Sequence, residues 1–246
     1  MFNKRHIVRT IAATVSILAL SFTAACGSGQ STASNSTDSD DITQQTYKPG
    51  KLTIATGQPA YEPWVMNDKP ESGEGYEAAV AYAVADKLGF KKSDVVWTRT
   101  AFDTAIAPGA KDWDFNIQQF GITDERKKAV DFSSSYYNDS QSVVVKKDSK
   151  FANATKVSDL KDATVGVMVG TLAYDYAKAN IKDDIQTFND DAALAQALDA
   201  GQIDALVTST VECVYMVQSE QVKDAKVVGL SLIHISEPTR QEAISY

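Results

Sequence analysis

One arginine stands where a strand-like segment ends and a short helix is predicted to begin. Arg126 follows the turn Gly121–Glu125, which closes the segment Asp114–Phe120. A guanidinium group can hold a carboxylate through two parallel hydrogen bonds, so an arginine just beyond a strand end is a candidate anion anchor. Lys127 and Lys128 follow directly, and such a run of cations is equally typical of a solvated helix face. From these residues alone the solvated face is the simpler interpretation, and the rest of the chain has to decide.

Histidine and cysteine are too scarce for several kinds of catalytic or metal site. The two histidines, His6 and His234, fall in segments that we expect to lie outside the folded body, and the two cysteines are Cys26 and Cys213. This composition argues against a Ser-His-Asp or Cys-His arrangement and against a zinc centre, so we expect neither metal nor cofactor. The 246-residue chain carries a formal net charge of −8, which argues against nucleic acid as a partner.

The first 25 residues are typical of an export signal. Three cations precede a short apolar run at residues 11–20, and this run is too short to remain in a membrane, since a spanning helix needs about 20 apolar residues. The run ends in small residues before Cys26, which resembles the lipobox of bacterial lipoproteins, where the cysteine is acylated and becomes the new N-terminus. The alternative is an ordinary signal peptide in which Cys26 is incidental.

A polar tether is predicted between this leader and the folded body. Residues 27–45 are nearly all Ser, Thr, Asp, Asn, Gly and Gln and lack an apolar residue that could anchor them to a core, so we assign residues 26–50 to the tether. A lipid-anchored body on such a tether would work at the outer face of the cell membrane, extracellular or periplasmic. The membrane is then a partner through the N-terminal lipid.

From Lys51 onward, short strands alternate with helices, which specifies an α/β fold with mostly parallel sheets. The alternation starts again near residue 145, so we predict two lobes, residues 51–140 and residues 141–230 with the hinge strands, and a cleft between them at the strand ends. The predicted strands are Leu52–Ala55, Val95–Thr98, Trp113–Gln118, Gln141–Lys147, Thr164–Val169, Ile185–Phe188, Ala205–Thr208 and Ala225–Gly229. The predicted helices are Gly75–Leu88, Phe102–Ala107, Thr171–Asn180, Asp190–Ala200 and one that runs through Tyr215.

Six stretches of the body have a recognisable order and spacing. They are Tyr61–Trp64, Gly75–Gly89, Phe102–Asp114, Ile122–Arg126 with Val130–Phe132, Val165–Val167 with Gly170–Thr171, and Gly201–Ala205. Together they resemble the extracellular solute-binding proteins of polar amino acid ABC transporters, solute-binding protein family 3. The resemblance implies a two-lobe, type II periplasmic-binding-protein-like fold. It also implies a binding role without catalysis: a small amino acid or related carboxylate is enclosed between the lobes by hinge closure and delivered to a membrane permease.

The same resemblance implies how the ligand's carboxylate is held. Arg126 would bind the α-carboxylate, and Gln119 and Gly121 would form the wall beside it. On the second lobe, Thr171 and the backbone N–H of Leu172 would complete the site, because unpaired N–H groups and the positive end of a helix dipole face the cleft there. The alternative is that Thr171 caps its own helix, and the two roles are compatible.

The remaining walls of the cleft follow from the resemblance as well. Met168 would line the cleft, and Tyr61 and Phe102 would enclose the aliphatic or cationic part of the ligand. Core packing is the alternative for any aromatic residue, and we expect it for Trp64 and Trp113.

One position departs from the family pattern. An aspartate usually stands five residues after Asp204 and receives the ligand's α-ammonium, but this chain has Ser209. A serine accepts one hydrogen bond and supplies no charge. Either Glu212 or a residue in a missing segment compensates, or the ligand is not a plain α-amino acid.

The last residues do not match the family pattern. Residues 231–246 resemble the translation of sequencing-adapter DNA, and they stand where the family's chain would return to the first lobe for its final strand and helix. We therefore expect a chain truncated near Leu230, a non-native tail and an incomplete first lobe.

Two other functions use the same scaffold. A dehydratase-type enzyme would need an acid or base facing the ligand, and the matched cleft positions provide none, so we expect no enzyme. A sensory ligand-binding domain is the other alternative, although no output region follows in this sequence.

Overall fold

The computed structural model describes residues 41–232, and side chains within residues 41–228. The predicted leader, the predicted lipidation site Cys26, most of the tether and nearly all of the predicted tail lie outside the described residues. No helix within residues 41–232 is long and apolar enough to cross a membrane.

The first sheet is three-stranded and parallel, in the order β2-β1-β3. Its strands are Leu52–Gly57 (β1), Val95–Thr100 (β2) and Phe115–Asn116 (β3). Strand β3 is shorter than the predicted Trp113–Gln118, although the N–H groups of Asp114 and Ile117 still donate to β1. The strand cannot continue, because Gln119 takes a positive φ of 50° and turns the chain away.

Three helices belong to this part of the chain: Tyr76–Lys87 (α1), Phe102–Ile106 (α2) and Asp124–Lys127 (α3). Helix α1 packs its buried alanines against Leu52, Ile54 and Phe115 of the sheet. It begins at Gly75, with φ of 102°, where a Cβ atom would lie 2.4 Å from the carbonyl oxygen of Trp64. Only glycine fits there. Short 3-10 helices span Ile42–Gln44, Met66–Asp68, Pro70–Ser72 and Lys92–Asp94.

The second sheet has five strands in the order β6-β5-β7-β4-β8. They are Gln141–Lys146 (β4), Val165–Met168 (β5), Gln186–Phe188 (β6), Ala205–Ser209 (β7) and Ala225–Leu232 (β8). Strand β4 is antiparallel to β7 and β8, whereas β5 is parallel to β6 and β7. The helices are Leu172–Asn180 (α4), Asp191–Asp199 (α5) and Thr210–Gln218 (α6), with a 3-10 helix at Val157–Leu160.

Both faces of the second sheet are buried. Along β4, Val143 and Val145 pack on the side of α4, whereas Val144 packs on the opposite side with Leu194 and Leu198 of α5. This is the alternation that a strand covered on both faces requires. The packing fixes the N-termini of α4, α5 and α6 directly after the carboxyl ends of β5, β6 and β7. Ligand sites of α/β sheets lie at this edge.

Candidate functional site

A cavity of about 930 Å³ lies where the strand ends of the two sheets face each other. This volume is within the range of small-molecule sites. Each residue predicted for ligand binding lies at or beyond a strand end, and the topology brings all of them to this cavity. The nine are Tyr61, Phe102, Gln119, Gly121, Arg126, Met168, Thr171, Leu172 and Ser209.

Arg126 joins the two lobes. Its Nη1 donates to the Gly121 carbonyl and its Nη2 to the Gly170 carbonyl, each at 2.8 Å. The guanidinium lies over the rings of Phe102 and Phe120, 5.8 and 5.4 Å from their centroids. Burial lowers the pKa of Arg126, but a guanidinium keeps its proton in proteins, so the cavity contains a fixed positive charge.

The solvated-face interpretation describes the lysines and not Arg126. Lys127 pairs with Asp124 at 3.0 Å, and Lys128 pairs with Glu125 at 2.5 Å on the exposed side of α3. Arg126 is partly buried on the cavity side. The helix is oriented by Thr123, whose hydroxyl accepts a hydrogen bond from the Arg126 N–H at 3.1 Å.

The lobes are in close contact beside this arginine. A Cβ atom added at Gly121 would lie 2.2 Å from Cδ1 of Leu172, which belongs to the other lobe. The lobes can approach this closely only because residue 121 has no side chain. Gly121 therefore has a steric role in the wall predicted for it.

Thr171 serves as the cap of α4. Its hydroxyl accepts from the Tyr174 N–H at 3.2 Å and donates to the Met168 carbonyl at 2.8 Å. The hydroxyl is therefore engaged within the lobe. The group that α4 offers to an anion at this point is the backbone N–H of Leu172 at the positive end of the helix.

The predicted aromatic walls are only partly free. Phe102 stacks on Phe120, with 4.1 Å between ring centroids and 20° between planes, so one of its faces is covered. Trp64 and Trp113 are buried as expected, at 3% and 6% exposure, yet Trp64 also lines the cavity. Sequence reasoning missed Phe120, although it stands directly after Gln119 in the same turn.

Four carboxyl groups in the cavity were not predicted as a set: Glu77, Asp139, Asp191 and Glu212, called here the acidic cluster. The matched cleft positions contain no acid or base, but other residues of the cavity supply these four carboxyl groups. The sequence signals were that Glu212 could compensate for Ser209 and that Glu77, Asp191 and Glu212 stand in first helical turns, where acidic residues usually serve the helix dipole.

Burial raises the pKa of every member of the acidic cluster, and it raises that of Glu77 to about 7. Glu77 is fully buried and accepts hydrogen bonds from the Tyr136 hydroxyl and from Gln119, whose backbone N–H donates at 2.8 Å. The side-chain amide of Gln119 is bound to the same carboxyl. Gln119 thus contributes to the wall while its donors hold Glu77 in place.

Ser209 is flanked by two carboxyl groups of this cluster. It caps α6 by accepting a hydrogen bond from the Glu212 N–H at 3.2 Å, and the Glu212 carboxyl accepts from the Thr208 hydroxyl at 2.6 Å. The Ser209 hydroxyl also favours the charged form of Asp139, against the effect of burial on the Asp139 pKa. The carboxyl group absent at position 209 is therefore matched by one on each side, from Asp139 and Glu212.

Two α/β lobes that enclose a small-molecule cavity beside a partly buried arginine define the class of two-lobe binding proteins. Residues 52–207 match the model of the bacterial extracellular solute-binding proteins, family 3. The chain belongs to this family, and its fold is that of the type II periplasmic binding proteins.

Curated relatives bind different amino acids. The L-cystine-binding protein TcyJ of Escherichia coli (strain K12) is 31% identical over 64% of this chain and 59% of its own length. The L-arginine-binding protein of Pseudomonas aeruginosa is 29% identical over 67% of this chain and 62% of its own. The glutamine-binding protein of Geobacillus stearothermophilus is 32% identical over 83% of this chain and 82% of its own length. The chain thus spans about three fifths of the first two relatives.

Solved structures give the same fold. An ancestral arginine-binding protein bound to glutamine superposes with a TM-score of 0.62 and 32% identity, covering 75% of this chain and 80% of its own. An ancestral amino acid-binding protein, a precursor of cyclohexadienyl dehydratase, superposes with a TM-score of 0.62 and 32% identity, covering 73% of this chain and 77% of its own.

Proposed function

We propose that this protein is the substrate-binding component of an ABC importer and that it binds a small amino acid or related carboxylate between its lobes. The proposal rests chiefly on Arg126, a partly buried cation in a cavity bounded by both lobes. The family membership and the amino acids named for its relatives support the same reading.

The geometry suggests how a carboxylate would be held. Arg126 presents its fork beside the N-terminus of α4, and a buried carboxylate needs paired donors of this kind. The ligand's carboxylate would take the Nη2 hydrogen that now bonds the Gly170 carbonyl, and the Leu172 N–H would add a second donor. Because these groups come from different lobes, binding favours the closed arrangement by contacting both.

The location follows from the predicted leader. We infer that Cys26 is acylated and that the protein is held at the outer face of the cell membrane, where it delivers its ligand to a permease. Growth with labelled palmitate would test this step. Label in the wild type that is lost in Cys26→Ser is expected, and a Cys26→Ser protein that retains label would contradict lipidation.

Calorimetry with a panel of amino acids and organic acids tests the binding role. We expect at least one α-carboxylate to bind, and Arg126→Ala to weaken it by 100-fold or more, because the buried carboxylate loses its paired donors. Lys128→Ala, a change on the exposed side of α3 outside the cavity lining, is the matched control and should bind as the wild type does. Equal affinity in Arg126→Ala and wild type would return Arg126 to a structural role.

A same-scaffold enzyme is the second candidate, because the acidic cluster supplies groups that could exchange protons near neutral pH. The bound ligand discriminates the two. A binding protein releases its ligand chemically unchanged, and recovery of an altered product by mass spectrometry would favour the enzyme.

A further inference from the structure

The acidic cluster brings four carboxyl groups to one cavity. After burial, the charge of Glu212 is a further cause of the raised pKa of Glu77 and of Asp191, and Asp139 has the same effect on Glu212. The four groups come from the start of α1, from the chain before β4 and from the first turns of α5 and α6. All four line the same cavity.

These charges have no cationic partner of their own. Within residues 41–228, no member of the acidic cluster takes part in a salt bridge. Asp191 is the extreme case: it is 6% exposed, it lines the cavity, and its Oδ1 has no hydrogen-bond donor. A buried carboxyl without a donor is costly, so a donor from outside the chain is expected there.

A neutral side chain gives a second and independent indication. Gln141 stands directly opposite Ser209 in the ladder between β4 and β7. It is 8% exposed and lines the cavity, and its side-chain oxygen has no donor either. Two buried acceptor oxygens that line the cavity, Asp191 Oδ1 and Gln141 Oε1, therefore lack a hydrogen-bond donor.

We propose that the acidic cluster and Gln141 form a cation subsite, and that the ligand is an amino acid with an ammonium or guanidinium side chain. This inference rests on the proposed function. An ammonium carries three N–H donors and a guanidinium five, which suits several acceptors at once. The single α-ammonium of a neutral amino acid would face four carboxyl groups, whereas a second cationic group brings the two signs closer to balance.

The ends of the cavity then have opposite character. Arg126 and the N-terminus of α4 suit an anion, and the region around Ser209 suits cations. Among the described residues, no three His, Cys, Asp or Glu side chains are placed to hold a metal ion, which favours an organic cation.

A matched pair of probes tests the charge preference in the wild-type protein. L-Arginine and L-citrulline have nearly the same shape and the same α-groups, but citrulline has no side-chain charge. By calorimetry we expect arginine to bind at least 10-fold more tightly. Equal or tighter binding of citrulline would overturn the cation subsite while leaving the proposed function intact, and binding of neither citrulline, arginine nor any other amino acid would overturn both.

Two isosteric variants locate the subsite. Asp191→Asn and Glu212→Gln should each lower the affinity for arginine by at least 10-fold and the affinity for citrulline by no more than about threefold. Glu125→Gln removes the same charge from the exposed side of α3 and should bind arginine as the wild type does. Arginine affinity within twofold of wild type in both cavity variants would overturn the proposal.

The ligand-free proteins provide a further readout. Because each cavity variant removes an unpaired charge, both should unfold at a higher temperature than wild type without ligand, although they bind arginine more weakly. A purely structural role for these carboxyls predicts the opposite, a lower unfolding temperature, and that result would overturn the proposal.

Discussion

Glu77 has an unusual proton affinity for a glutamate. Burial raises its pKa from 4.5 to about 7, even though hydrogen bonds from Tyr136 and Gln119 favour the charged form. Between these two pH values the folded protein keeps a proton that the unfolded chain has released. The free energy of unfolding therefore falls as the pH rises from about 4.5 to about 7.

Glu77→Gln should make this dependence shallower. The shift corresponds to roughly 3 kcal/mol across the window, at about 1.4 kcal/mol per pKa unit, and a glutamine cannot titrate. Urea unfolding of the ligand-free protein at several pH values between 4.5 and 7 measures the slope. Glu74→Gln, on the exposed surface, should keep the wild-type slope, and an unchanged slope in Glu77→Gln would show that another group is responsible.

Gly121 sets how closely the lobes approach. A methyl group in Gly121→Ala would meet Leu172 at 2.2 Å, so the closed arrangement should become less favourable. We expect ligand affinity to fall about 10-fold, since the contact lies between lobes and not in either core. The double variant Gly121→Ala with Leu172→Ala should recover much of this loss, because it restores the space. Failure of the double variant to recover would place the effect elsewhere.

At the scale of elements, the N-termini of three helices lie close to the cavity. Thr171, Asp190 and Ser209 cap α4, α5 and α6, and each cap follows a strand that ends at the cavity. The strands hold these ends in place through cores on both faces of the second sheet. A change in a cap is thus expected to affect stability and binding together.

Thr171→Val tests this coupling. It removes the hydrogen bonds to Tyr174 and Met168 and should lower the free energy of unfolding by about 1 kcal/mol. Ligand affinity should fall as well, because the first turn of α4 loses its anchor. Thr171→Ser keeps the hydroxyl and should preserve both properties. Urea unfolding and calorimetry measure them, and a valine variant that loses neither would contradict the capping role.

Most elements could be predicted from the sequence because local pattern specifies them. The buried strands β4, β5 and β7 are apolar runs, and α5 starts at an aspartate cap and ends before Gly201. Strand β3 was overpredicted, because the turn at Gln119 depends on its bond to Glu77, which is far away in the sequence. Local pattern carries no information about that contact.

At the scale of the whole molecule, the described carboxyl groups whose pKa is clearly shifted include two sets with opposite effects on the pH dependence of stability. Burial raises the pKa of the four in the acidic cluster. At the surface, hydrogen bonds lower the pKa of Asp94, Asp159 and Asp199, in two cases from a lysine side chain. The contribution of the first set to the free energy of unfolding decreases as the pH rises above about 4.5. The contribution of the second set decreases as the pH falls below about 4.

The ligand-free protein should accordingly be most stable between about pH 4 and pH 5. Thermal unfolding monitored from pH 3 to pH 8 checks this expectation. The Asp191→Asn and Glu212→Gln double variant should show a smaller loss towards pH 8. A maximum at or above pH 7 in the ligand-free wild type would contradict the opposing effects of the two sets.

The candidate site was only half accessible from sequence. Arg126 and its eight companions could be placed at the cavity because short motifs at strand ends resemble a known family. The acidic cluster could not, since its members lie in three helices and in the chain before β4 and have only long-range contacts in common. Burial, which creates their unusual chemistry, is a property of the assembled lobes.

The acidic cluster also makes ligand capture an exchange of protons. Glu77, Asp139 and Asp191 each interact electrostatically with Glu212, and burial favours the protonated form of all four carboxyl groups. A cationic ligand would favour their charged forms and so displace protons into the medium. We expect calorimetric heats of binding to vary with the ionisation enthalpy of the buffer. We also expect a low pH to weaken binding of the cationic ligand and so to release it from the protein.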